Sequence, residues 1–332
     1  MTDALFLTSE AVDDLATPAD YVAAVREGYR EVGTGAPAEP RTLLPSGDPP
    51  GMLTTYVAML PDLGAMGGYT YAAGFAERDA WFLTPLFDAE TGEPLAVIDG
   101  ASMNPFKTGA AGAVAVDALA RPDASTVAVI GSGPQARGQL RTTATVRDLT
   151  GVRVFSPTPA NRESFADEFA ERLDADVTAV SSASAALAGA DIVITATTAS
   201  EPVIADADVE PGTHVTAMGQ YAADKHELPP ELIARATYVP DLTARATRDA
   251  GSFIAAREAG LVTDDDLEVE LGDVVAGSHP GRTSDDEVTV FDSGGTGIET
   301  VAAAHMLYER AREAGRGTPL SIAPASEALT GL

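Results

Sequence analysis

Thr126-Val-Ala-Val-Ile130 runs directly into Gly131-Ser-Gly133-Pro-Gln135-Ala136-Arg-Gly138. The apolar run predicts a short strand buried on both faces, and the glycine-rich segment a tight turn into a helix reaching about Val146. Such a turn lets backbone N–H groups and the positive end of a helix meet a pyrophosphate. Gly133 allows the phosphate close to the chain, and Ala136, where a third glycine usually stands, keeps helix and strand together. The stretch therefore predicts a dinucleotide site at Gly131 and Gly133; the plainer alternative is a glycine turn in an unrelated sheet.

Downstream the pattern repeats. Apolar strands are expected at Val152–Phe155, Thr178–Val180, Asp191–Thr195, His214–Met218 and Tyr238–Val239, separated by helices. Alternation of this kind means a parallel sheet covered on both faces, so this half is doubly wound. Upstream, Thr17-Pro18 predicts the capped start of a helix that Gly33 ends. From Arg41 to Gly100 short apolar segments, Met52–Leu60, Tyr69–Phe75, Trp81–Asp88 and Pro94–Asp99, read as strands, with Asp88-Ala-Glu-Thr-Gly-Glu93 as a hairpin turn. Thr108–Ala120 reads as a helix of small residues suited to close approach. The helix over Glu299–Ala314 comes too late for a new domain and is expected to return to the first one. The expected organisation is residues 1–122 plus 296–332 as one discontinuous domain and 123–295 as the dinucleotide-binding domain, with hinges at Pro122–Asp123 and Ser293–Gly295.

The chain has 332 residues, with 50 Asp and Glu against 21 Lys and Arg for a formal charge of -29. A charge of this size argues against nucleic acid and anionic lipid as partners, since both are held by basic faces. Disorder is excluded because hydrophobic residues make up 45% of the chain and recur periodically. The only lysines are Lys107 and Lys225. An acid-rich, lysine-poor surface suits a cytoplasm at multimolar salt, where the screening length falls to about 3 Å at 1 M, so a halophilic protein is expected; the plainer alternative is a merely acidic mesophilic one. The start lacks a basic leader and no apolar run approaches the ~20 residues of a membrane span; the expectation is a cytoplasmic protein. Cysteine is absent, and His214, His226, His279 and His305 have no metal-ligand spacing, so no metal site is expected.

The end of the second strand bears on the cofactor. A carboxylate there would hold the ribose 2′-hydroxyl of NAD, but this chain has Ser156 in Phe155-Ser-Pro-Thr158, followed by Arg162. Loss of the carboxylate admits a 2′-phosphate, so the reading is NAD(P)(H) with a lean to NADP(H); Arg162 also suits an exposed helix position.

Several segments in combination resemble the ornithine cyclodeaminase/mu-crystallin family. They are Pro40-Arg41, Leu63-Gly-Ala65, Phe87-Asp-Ala-Glu-Thr-Gly-Glu-Pro-Leu95, Lys107-Thr-Gly-Ala-Ala111, Gly131-Ser-Gly-Pro-Gln-Ala136, Thr195-Ala-Thr-Thr198 and Gly281-Arg-Thr283. The resemblance spans about Arg41 to Gly317. It implies an α/β chain in which a Rossmann doubly wound parallel sheet is inserted into a mixed α+β substrate and dimerisation domain, assembled as a homodimer. The shared chemistry is hydride transfer between the nicotinamide and Cα of a small amino or imino acid.

Carried over by position, Arg41 matches the clamp for the substrate carboxylate, a task a planar guanidinium suits. Thr84, Gln135, Ala136, Thr197, Val215, Ala217, Met218, Lys225 and Ser293 match positions lining the dinucleotide, with Ser156 and Thr158 at its ribose end, and Gly294 matches backbone that approaches the substrate. For the apolar members core packing is an equal alternative. Three departures stand out. Gly68-Tyr69 replaces the family's substrate-contacting lysine, Tyr221 replaces its proton-handling aspartate, and Lys107, itself a candidate cofactor contact, replaces an arginine. A phenol with pKa near 10 is a poor base at neutral pH, so imine reduction is expected ahead of amine oxidation, with Tyr69, Lys107 and Tyr221 as the candidate catalytic groups. Lys107 could lower a tyrosine's pKa or take over the missing lysine's role. The alternatives are ornithine cyclodeamination to proline and ammonia, and a ligand carrier without turnover in the manner of mu-crystallin.

Overall fold

The computed structural model describes residues 2–75 and 80–326; residues 1, 76–79 and 327–332 of the expected first domain lie outside them. The chain opens with β1 (Thr2–Leu7), α1 (Ser9–Val12) and α2 (Pro18–Gly33), then β2 (Ala38–Gly47), β3 (Pro50–Leu60), β4 (Ala65–Ala73), β5 (Trp81–Asp88) and β6 (Pro94–Asp99). Next come α3 (Asn104–Leu119), β7 (Thr126–Ile130), α4 (Pro134–Thr143), β8 (Gly151–Phe155), α5 (Pro159–Ala170), β9 (Asp176–Ala179), α6 (Ala183–Leu187), β10 (Ile192–Thr195) and β11 (His214–Ala217). The remainder is α7 (Pro230–Arg235), β12 (Thr237–Pro240), α8 (Thr243–Asp249), α9 (Gly251–Glu258), α10 (Leu271–Ala276), β13 (Thr289–Asp292), α11 (Gly297–Glu313) and β14 (Thr318–Ile322).

Two compact units result, 1–107 with 296–332, and 108–295. The expected division after Pro122 therefore moves to the first turns of α3. The reason lies in the small residues of that helix. A Cβ at Gly109 would sit 2.5 Å from the Gly138 carbonyl oxygen and one at Gly112 1.9 Å from Gln139 Oε1, so α3 is pressed against α4 within the second unit. Gln139 Nε2 secures the contact by donating to the Thr108 carbonyl at 2.9 Å.

The first unit is a seven-stranded sheet ordered β14-β1-β6-β5-β4-β3-β2. Neighbours are antiparallel except the parallel pair β1 and β6. Along β3, Thr54, Tyr56, Ala58 and Leu60 are buried while Leu53, Val57 and Met59 are exposed, the alternation of a sheet with one covered face. α2 and α11 provide the cover. Thr17 caps α2 in a reciprocal box with Asp20, and Gly28 brings the two helices together, since a Cβ there would meet that of Ala302 at 3.1 Å. β1, β2 and β14 were not anticipated.

The second unit is a seven-stranded sheet ordered β12-β13-β11-β10-β7-β8-β9, with every pairing parallel. Apolar clusters fill both faces, one including Val215, Val290 and Phe253, the other Val129, Leu140 and Phe165. Strand order reverses between β7 and β10, where Ile130 lies beside Thr195. In open sheets of this kind the crevice at the carboxyl ends of such a pair is where ligands bind.

Candidate functional site

In the second unit the crevice is built by the predicted loop. Gly131 has φ +121°, and a Cβ on it would lie 2.4 Å from the Ala196 carbonyl oxygen; no other residue fits that turn. Gly133 is different. It is the N-cap of α4 with φ -79° and ψ -177° and makes no side-chain cap hydrogen bond, and a Cβ built on it meets nothing within 4 Å. The first N–H groups of α4 thus face open space that a side chain would fill, as a phosphate cradle requires. Ala136 is fully buried beneath, and Gln135 carries a buried Oε1 without a protein partner.

At the end of β8, Ser132 Oγ donates to Ser156 Oγ at 3.0 Å, and Arg162 Nη1 donates to the Ser156 carbonyl at 2.9 Å. Arg162 is therefore folded over the strand end, and Thr158 is exposed beside it. Thr197 is fixed by Glu227, a residue sequence reasoning missed. The buried Glu227 carboxylate accepts from Thr195 Oγ1 at 2.9 Å, Thr197 N at 2.7 Å and Gly219 N at 2.7 Å. It staples the carboxyl ends of β10 and β11. Burial raises its pKa and these hydrogen bonds oppose the rise. Ala217 and Met218 are buried at the same strand end, whereas Val215 sits within the apolar core. Tyr221 is 38% exposed, and Lys225 is exposed on the same loop.

A second network, also unforeseen, holds Ser293 and Gly294. Asp241 Oδ2 accepts from Ser293 Oγ at 2.7 Å and from Gly294 N at 3.1 Å. Its other oxygen pairs with Arg245, whose Nη2 reaches Asp292 Oδ1 at 2.8 Å. Arg245 is fully buried. Removing one member would strand buried charge, so the network is costly to break.

The first unit gathers Arg41, Tyr69, Thr84 and Lys107, all buried. Tyr69 lies opposite Tyr56 in the β3–β4 pairing. It stacks on Phe82 with ring centroids 5.1 Å apart and an interplanar angle of 6°, with the Tyr71 ring 5.6 Å away. Lys107 Nζ stands 4.8 Å from the Tyr69 ring and 5.8 Å from that of Tyr56, within cation–π range. It forms an ion pair with Glu299 Oε1 at 3.4 Å. Tyr69 Oη and Thr84 Oγ1 are buried without a protein hydrogen bond, polar atoms of the kind a ligand satisfies. Burial pushes the Lys107 ammonium below the ordinary lysine pKa, Glu299 opposes that, and Arg41 adds to it. Burial pushes the Tyr69 phenol far above its ordinary value, reinforced by Tyr71, Glu299 and Asp99. The expectation that Lys107 lowers a tyrosine's pKa does not hold for Tyr69: the apolar ring stack outweighs the cation, and the phenol stays protonated. Among the described residues no cluster of acids and histidines could hold a metal ion, and no helix is long and apolar enough to cross a membrane.

A doubly wound sheet with an uncapped glycine turn at its switch point, joined to a mixed sheet carrying a buried lysine and arginine, defines an α/β protein of dinucleotide-binding type. The sequence matches the model of the ornithine cyclodeaminase/mu-crystallin family over residues 2–315, and the chain belongs to that family. It is 37% identical over 233 residues to a Bacillus cereus Delta(1)-pyrroline-2-carboxylate reductase, covering 70% of this chain and 71% of that one. Among solved structures, the Thermococcus litoralis Delta(1)-pyrroline-2-carboxylate reductase in complex with NADH and L-proline superposes with TM-score 0.90 at 30% identity, over 95% of this chain and all (100%) of the other. An archaeal alanine dehydrogenase dimer with bound NAD superposes with TM-score 0.89 at 30% identity, over 97% and 100% of the two chains.

Proposed function

We propose that this protein is an NAD(P)(H)-dependent reductase of small imino acids, delivering hydride to Cα and a proton to the adjacent nitrogen. The observation that carries the reading is Lys107, a titratable donor held at 1% exposure against Glu299 and over the Tyr69 ring. A buried lysine with a lowered pKa transfers a proton near neutrality more readily than an exposed one. The two pyrroline-2-carboxylate reductases support the same chemistry, and the alanine dehydrogenase supports hydride transfer at Cα.

The dinucleotide, when bound, supplies the hydride. The uncapped N–H groups of α4 and the space before Gly133 fit its diphosphate. Ser156 without a carboxylate and Arg162 with its guanidinium at the strand end fit a 2′-phosphate, which favours NADP(H) over NAD(H). Arg41 binds the substrate carboxylate through its planar fork. Tyr56, Tyr69, Tyr71 and Phe82 keep water from the reacting atoms, which strengthens each charge interaction there. Tyr69, locked in its protonated form, donates a hydrogen bond and does not serve as base. Lys107 gives its proton to the nitrogen as the amine forms. Tyr221, exposed in this structure, has the weaker claim to that step.

A homodimer is proposed from the first unit's sheet. Its outer face exposes Leu53, Val57, Met59, Leu83, Phe87 and Trp81 around a groove of about 390 Å³, a patch that a monomer would not leave to water. The carrier reading rests on the replaced acid and lysine. Steady oxidation of NAD(P)H by a cyclic imino acid, lost in Lys107→Met with dinucleotide affinity retained, supports the enzyme; dinucleotide binding with no turnover in any imino acid supports the carrier.

A further inference from the structure

We propose that Glu299 is a positioning residue for the proton donor, fixing the Lys107 ammonium in the aromatic pocket while the same carboxylate caps α11. This rests on the proposed role of Lys107.

The geometry is economical in its atoms. Glu299 is the N3 residue of α11, and its Oε1 accepts both the Thr296 N–H at 2.6 Å and Lys107 Nζ at 3.4 Å. Its Oε2 accepts from Thr296 Oγ1, and Thr296 Oγ1 in turn accepts the Ile298 N–H at 3.1 Å. This is a complete capping box, yet it lies in the interior, with both ionic side chains at 1% exposure. A capping box needs only a Glu or Gln at N3 and is usually solvated. A buried carboxylate unpaired by charge would be costly, so the ammonium that it meets here compensates it. α11 cannot withdraw either: a Cβ on Gly297 would lie 2.3 Å from the Val57 carbonyl carbon, so the first turn is laid on β3, the strand bearing Tyr56. The carboxylate is therefore held at a fixed point that Lys107, leaving α3 from the far side of the sequence, must meet.

The groups facing Lys107 are Glu299 from α11, Arg41 from β2, Tyr56 from β3 and Tyr69 from β4, with Tyr71 of β4 and Asp99 of β6 acting on Tyr69. Glu299 is the charged member of this set that stabilises the ammonium. Burial and Arg41 act against it. Substitution Glu299→Gln keeps the helix cap, because Gln serves at N3, but removes the charge. The Lys107 pKa must then fall, by about 1 unit or more for an opposite charge at this range.

The test uses the lysine scarcity of the chain. Protein grown with lysine labelled at Cε gives two side-chain resonances, Lys107 and Lys225, assigned through Lys225→Arg. Titration of the full-length protein is expected to place the Lys107 midpoint below that of Lys225, and Glu299→Gln to move it down by a further ~1 unit or more while Lys225 stays in place. An unchanged Lys107 midpoint in Glu299→Gln overturns the proposal. Should Glu299→Gln not fold, Glu299→Asp, which keeps the charge but withdraws it by one methylene, is expected to lower the midpoint by less, and no change there is equally fatal. In the reductase assay the alkaline limb of kcat/KM is expected to move to lower pH in Glu299→Gln. A wild-type protein without turnover would refute the proposed function and leave the resonance result to decide the placement of Glu299; an active wild type with an unmoved limb would refute the positioning role alone.

Discussion

Replacing Gly133 by serine separates the fold of the second unit from its ligand chemistry. The backbone there is extended, φ -79°, and a Cβ meets no atom within 4 Å, so serine enters without strain. It lowers the freedom of the unfolded chain by about 0.4–1 kcal/mol and adds a few tenths as a better N-cap than glycine. The expected gain in stability is about 0.5–1.5 kcal/mol. The same hydroxyl takes an N–H of the first turn that a diphosphate would otherwise use. A hydrogen bond to a charged group contributes about 1.5–3 kcal/mol, and crowding adds to its loss, so the dinucleotide Kd should rise roughly a hundredfold. Gly131→Ala is the contrasting control. With φ +121° and a Cβ 2.4 Å from the Ala196 carbonyl oxygen, it should lose about 2 kcal/mol or more. Urea unfolding followed by circular dichroism, with calorimetric titration of NADH and NADPH, reads both quantities. A Gly133→Ser protein that binds like the wild type, or unfolds at lower urea, refutes the assignment of this turn as the cradle.

Further expectations concern pH, assembly and salt. His214 is fully buried between Thr289 Oγ1 at 2.9 Å and Thr216 Oγ1 at 3.0 Å, and burial pushes its pKa down to about 3, with Arg282 and Arg147 adding to the shift. The unfolded chain binds that proton below pH ~6.5 and the folded one does not, so its part of the stability is whole above pH ~6.5 and falls by up to about 1.4 kcal/mol per pH unit toward pH 3; His214→Gln should flatten that slope in urea midpoints measured across the range. Val57→Glu, on the exposed sheet face, should convert a dimer to monomers by light scattering without loss of helical signal, and a wild type that is itself monomeric would refute the proposed interface. With a formal charge of -29, the chain should unfold at lower urea in dilute buffer than in molar salt, and equal midpoints would remove the halophilic reading.

How far the sequence revealed this molecule depended on where each signal lay. The β7 turn and α4 were legible because a parallel strand buried on both faces must be continuously apolar and a phosphate turn must be glycine. β2 and β14 were illegible for the opposite reason. β2 contains Pro40 and Pro45, and β14 contains Pro319, which demote a run as a strand candidate because proline cannot donate to the ladder and is best tolerated at sheet edges, and these two strands are the edges. α3 was read as a helix suited to close approach, but it was placed with the first domain because the small residues mark proximity without saying to what. Arg41 and Lys107, which the first unit gathers, entered as candidates through the resemblance. Glu299 was hidden because it is 192 residues from Lys107 and looks like an ordinary cap. Glu227 and the Asp241–Arg245–Asp292 network were lost among the acids of an acidic chain, since only burial distinguishes a structural carboxylate from a solvated one.

The central claim is reduction of a small imino acid by a reduced dinucleotide. Purified protein in high salt, mixed with NADPH or NADH and a cyclic imino acid such as Delta(1)-pyrroline-2-carboxylate, should consume the reduced nicotinamide absorbance in proportion to amino acid formed, and Lys107→Met should abolish this. Binding of the dinucleotide with no absorbance loss against any cyclic or linear imino acid would contradict it.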